Sequence, residues 1–97
     1  MSNSSVAPPL DVALEIGQAV DEVQAVFLAF SEKDKVLTVL TIVPERERSV
    51  CRRIYTVEQQ IIDRYQEFDF AFSVLASNGR EPRAVVQDPG MYLAFSR

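Results

Sequence analysis

Residues 44–65, PERERSVCRRIYTVEQQIIDRY, decide the fold. At about 100° per residue, Val50, Ile54, Val57, Ile61 and Tyr65 fall on one stripe, which Cys51, Tyr55 and Ile62 widen on one side. Arg46, Arg48, Arg52, Arg53, Gln60, Asp63 and Arg64 fall on the opposite face. Proline is tolerated where a helix begins, because the N–H it lacks has no partner there. Acidic side chains near that end meet the positive pole of the helix dipole. The spacing therefore predicts one long amphipathic helix opening at Pro44, with Glu45 and Glu47 in its first turn.

A helix with one apolar side needs a sheet to cover, and the flanking segments supply the strands. Val36–Val43, VLTVLTIV, is built from β-branched residues and leucine. Val23–Phe30, VQAVFLAF, is a second such run, joined to it by the charged turn SEKDK at 31–35, which has hairpin length. Beyond the helix, Phe68–Ala76 alternates cleanly: Phe68, Phe70, Phe72 and Val74 share one face, and Asp69, Ala71, Ser73 and Leu75 the other. Ser77-Asn78-Gly79 ends it with turn chemistry. Upstream, Leu10–Glu22 reads as a helix rather than a strand, since its apolar positions keep a helical period as far as Val23 and Gly17 disfavours a strand. In the tail, Ala84–Gln87 fits a short strand or an irregular segment, and Met91–Phe95 a short edge strand. Residues 1–9 carry no period and read as a flexible arm, leaving 10–97 as a single domain.

The expected class is α+β, in the order α-β-β-α-β with a further C-terminal strand, both helices lying on one face of a small mixed sheet. The first two strands form an antiparallel hairpin. A right-handed crossover through the long helix makes the second and third parallel. The first strand is expected between them, giving a spatial order of two, one, three. The remaining sheet face is apolar at the first two strands and calls for a cover, either a second subunit or the C-terminal tail.

Composition excludes several chemistries. The 97 residues contain no histidine and one cysteine, Cys51, so histidine-based triads, ordinary zinc sites and an intrachain disulfide are ruled out. The net charge of −4 argues against nonspecific nucleic-acid binding, which draws its affinity from neutralised phosphates. Apolar runs fall short of a membrane span, and the opening MSNSSVAPPL has neither the basic start nor the apolar core of a secretory leader. The expected location is the cytoplasm. Three glycines in the whole chain leave no phosphate-cradling loop, and no cofactor or metal is expected.

Glu58 is the misfit, because its helical bearing places a carboxylate inside the apolar arc. Such a group must be hydrogen-bonded, paired, protonated or left with its head in water. A structural role at the helix–sheet edge and a role as a pocket acid or base, with Tyr55 and Asp69 as neighbours, are both open. Arg46, Arg53 and Arg64 share one bearing and form a candidate anion contact; interleaved acids equally suit a solvated face. Cys51, on the flank of the stripe and without a histidine to activate it, reads as an inert buried thiol.

The run LTVLTIV, then RRIYTVEQQIIDRY, then FDFAFSVLASNGR, resembles a type of short bacterial protein with no assigned activity. The layout is also distantly similar to the nucleotidyltransferase-like fold. That family's motif requires a Gly-Ser turn and an Asp-x-Asp strand. Here the turn is SEKDK and the strand VLTVLTIV, leaving Asp69 alone at the place of a third carboxylate, and two-metal phosphoryl transfer needs several converging acids. The reading that results is a non-catalytic domain that associates with itself or with a protein partner. The alternative is a small-molecule binder or enzyme using Glu58, Tyr55 and Asp69.

Overall fold

A computed structural model describes residues 9–97; the expected arm lies outside them except for Pro9, which is buried and accepts the Val12 N–H. The elements run α1 (Asp11–Ala19), β1 (Ala25–Ser31), β2 (Val36–Val43), α2 (Arg48–Arg64), β3 (Asp69–Ala76), α3 (Pro82–Val85) and β4 (Tyr92–Ser96). The fold is α+β, with one mixed four-stranded sheet.

β1 and β2 form the expected antiparallel hairpin, and β2 and β3 pair in parallel over all eight positions from Val36–Asp69 to Val43–Ala76. The order, however, is β3-β2-β1-β4, so β2 rather than β1 stands next to β3. The reason lies in connection length and supply. Four residues lead into α2 (44–47) and four lead out (65–68), which returns the chain to the strand it has just left. The far side of β1 is taken by β4, which pairs with it antiparallel.

α2 begins at Arg48, one turn later than the spacing predicts. Pro44 does not open it. Instead the β2–β3 ladder runs on past β2, with Ser77 N–H donating to Val43 and Asn78 N–H to Pro44, and this holds 44–47 out of the helix. In the tail, Pro82–Val85 is a short helix rather than a strand, with proline at its first turn.

The main core lies between the helices and one sheet face. Val12, Ala13 and Ile16 of α1 and Val50, Ile54, Val57 and Ile61 of α2 close on Val26, Leu28, Leu37, Val39 and Val43. Phe70, Phe72 and Val74 of β3 join it half-buried. The two helices are tied across their outer faces by Arg64–Glu15 and, just beyond α1, by Arg53–Glu22, each at 2.6 Å. The second face has its own small core of Ala25, Phe27, Leu40 and Ile42. The C-terminal tail supplies the cover through Met91, Val85 and Val86, with the Arg83 guanidinium 5.2 Å from the centre of the Phe27 ring.

The tail is fastened to α1 as well. Phe95 lies against Gly17, where any Cβ would run into its ring. The Arg97 side chain donates to the carbonyl of Gly17, which the last turn of α1 leaves free, and to those of Val20 and Val23 beyond it. Gly17→Ala gains about 1 kcal/mol of helix propensity, but overpacking costs about 1–3 kcal/mol. The net expected result is a loss of stability in urea unfolding. Most of that loss disappears when Gly17→Ala is made in a Phe95→Ala background; equal losses in both backgrounds would exclude the close approach as the cause.

Candidate functional site

The side chains singled out from the sequence cluster around α2. Bearings about its axis divide it into three sides. Ile54, Val50, Ile61 and Val57 face the core. Arg53 and Arg64 face α1 and are held there by Glu22 and Glu15. The third side, carrying Cys51, Tyr55, Glu58 and Ile62, points away from α1 and overhangs the outer edge of β3. Tyr55 is 50% exposed and Ile62 40% exposed, both large apolar surfaces without a cover. Beneath them, the Phe70 and Phe72 rings stack with centroids 5.3 Å apart.

Glu58 is buried to 7% exposure, and its Oε2 has no hydrogen-bond partner. It meets neither an arginine nor a tyrosine hydroxyl nor a backbone amide at that oxygen. Burial alone pushes its pKa from the usual 4.5 to about 7; a carboxyl kept from water without a compensating donor keeps its proton. Asp69 does not share this space. It lies out of phase with Phe70 and Phe72, which pack on the helix side, so its exposed side chain belongs to the opposite sheet face. Tyr55 lines a groove with Arg46, Arg48, Cys51 and Arg52, and neither Glu58 nor Asp69 lines it.

That groove regroups the arginines. Arg46, expected beside Arg53 and Arg64, lies in the segment before α2 and lines the groove with Cys51 and Tyr55, whose side chains hold its pKa above the ordinary value. Arg48 and Arg52 join it. Glu45 and Glu47 line a different depression, with Glu22, Pro44 and Val50. Acids and arginines alternate as E-R-E-R at 45–48, and the turn closed by Glu47 N–H on the Glu45 carbonyl before α2 accompanies their separation into two depressions. Cys51 is buried.

The two sheet edges differ. β4 is five residues long, and its pairing with β1 is interrupted by a register shift at Val26/Phe27. β3 is eight residues long, and its ladder with β2 has no shift. Asp69 and Ser77 donate toward β2, so the N–H and C=O groups of Phe70, Phe72, Val74 and Ala76 point outward along the free edge. Nothing blunts that edge: it carries no proline, lysine or bulge.

Among the described residues, no group of three or more cysteine, aspartate or glutamate side chains is placed to hold a metal ion. No helix among them is long and apolar enough to cross a membrane. No protein-family model matches the chain, and no curated protein matches it at a significant level.

The Glu58 carboxyl sets an expected pH dependence. Between pH 4.5 and about 7 the folded chain keeps a proton that the unfolded chain has released, so stability falls as pH rises through that window and levels off above it. The loss is on the order of 1–3 kcal/mol. Urea unfolding of the Glu58→Gln variant is expected to lack this decline; an unchanged slope would assign the titration to other groups.

Proposed function

We propose that the protein is a non-catalytic association domain whose partner is a second copy of itself, docked along β3. The unblunted β3 edge carries this reading. A row of outward N–H and C=O groups is a template for another strand, and the most direct complement is the same strand related by a two-fold axis. An axis at Ser73 would set Phe70 opposite Ala76 and Phe72 opposite Val74 of the second copy, each pair exchanging two hydrogen bonds. The same axis would lay α2 antiparallel to its counterpart on one side of the joined sheet, with their dipoles opposed. Tyr55 and Ile62, left uncovered in the single chain, would then meet across the axis. β4, short and irregularly paired, offers no comparable edge.

Light scattering on a sizing column is expected to give twice the 10.9 kDa chain mass. Two substitutions are expected to return the mass to that of a single chain while circular dichroism stays unchanged. Ile62→Lys places a charge on the exposed flank. Val74→Pro removes an outward N–H, which an edge strand tolerates. A single-chain mass for the unsubstituted protein at concentrations up to about 0.1 mM would remove self-association as its role.

A further inference from the structure

We propose that the groove formed by Arg46, Arg48, Arg52, Cys51 and Tyr55 is a binding site for a compact phosphate compound, a pyrophosphate or a phosphate monoester. Three arginines, Arg46, Arg48 and Arg52, line one open groove together with Tyr55. Among the described residues the ion pairs join Arg53 to Glu22 and Arg64 to Glu15, on the side of the helix away from this groove, and neither takes up Arg46, Arg48 or Arg52. Glu45 and Glu47, adjacent in sequence, line a separate depression. An acidic chain of net charge −4 thus presents a local site that is basic throughout.

Magnitude separates this from an ordinary solvated face. A surface arginine facing one carboxylate contributes about 0.2–1 kcal/mol. Charge-assisted bonds from forked guanidinium groups to phosphate oxygens are about twice as strong as neutral ones, and planar forks match phosphate geometry. Three of them acting together bring a dianion into the range of about 1 mM to 10 μM. Mutual repulsion among the arginines is relieved by the ligand, which favours a doubly charged anion over a singly charged one. Length is selected against: the neighbouring Glu45, Glu47 and Glu22 repel an extended polyanion, and Tyr55 alone offers a stacking surface. The lining residues all belong to one chain, so binding is expected without self-association, although Tyr55 also lies at the proposed seam.

Calorimetric titration of the full chain with sodium pyrophosphate at low salt tests this, with the Ile62→Lys variant run in parallel. Saturable binding at one site per chain is expected in both proteins. Arg46→Ala and Arg52→Ala should each weaken it about tenfold, as the loss of one charge-assisted contact implies. Arg53→Ala, whose guanidinium is held by Glu22, should leave it within about twofold. Failure of pyrophosphate to saturate overturns the proposal. So does an Arg53→Ala effect equal to that of Arg46→Ala, which would mean diffuse charge rather than a site. Tighter binding of a single-stranded oligonucleotide than of pyrophosphate would overturn the ligand class.

Discussion

The parallel ladder between β2 and β3 is the constraint on which the other features depend. Two parallel neighbours cannot be joined by a tight turn, so the chain must cross over the sheet. The crossover is α2, and its short leads fix it above β2 and β3. That placement turns one side of α2 toward α1, one toward the core and one out over the rim of the sheet. The ladder's continuation past Val43 to Pro44, followed by a turn in which Glu47 N–H donates to the Glu45 carbonyl, keeps the segment before α2 out of the helix. The buried carboxyl, the arginine groove and the open strand edge all follow from this geometry.

The rest of the structure closes what the crossover leaves open, but unevenly. α1 fills the helix layer beside α2 and is pinned to it by ion pairs at its outer surface. The tail covers the second face over β1 and β2 and stops short of β3, where Ala71 and Ser73 remain exposed. The helix layer and the tail thus cover the middle of both faces, and the β3 rim is left open. The buried Glu58 carboxyl lies on that uncovered side.

The period of residues 50–65, the alternation of 68–76 and the two apolar runs before them make the class, the hairpin and the parallel pairing legible in the sequence, because burial enforces those patterns directly. Glu58 stands out for the same reason: a carboxylate inside an apolar arc contradicts its neighbours. Strand order does not show in such patterns, since β1 and β2 are apolar on both faces and either could be central. Which edge of β1 is occupied depends on the tail, whose signal is a single five-residue run. The start of α2 is obscured because Pro44 fits a helix N-terminus locally while a long-range ladder claims its carbonyl. That one turn separates Arg46 from Arg53 and Arg64 and places it with Arg48 and Arg52.

The knot of contacts where Phe95 crosses Gly17 and Arg97 gathers the carbonyls at the end of α1 joins the last strand to the first helix. During synthesis, β1 has one flank unpaired and α1 lacks its Phe95 and Arg97 contacts for most of the chain's emergence. Neither can be completed until residues 92–97 have cleared the ribosome. The hairpin and the crossover can assemble from neighbouring segments, but closure waits for the most distant contact in the molecule, the kind whose loop entropy makes it late. The hairpin and crossover are therefore expected to form first, and the docking of β4 on α1 last.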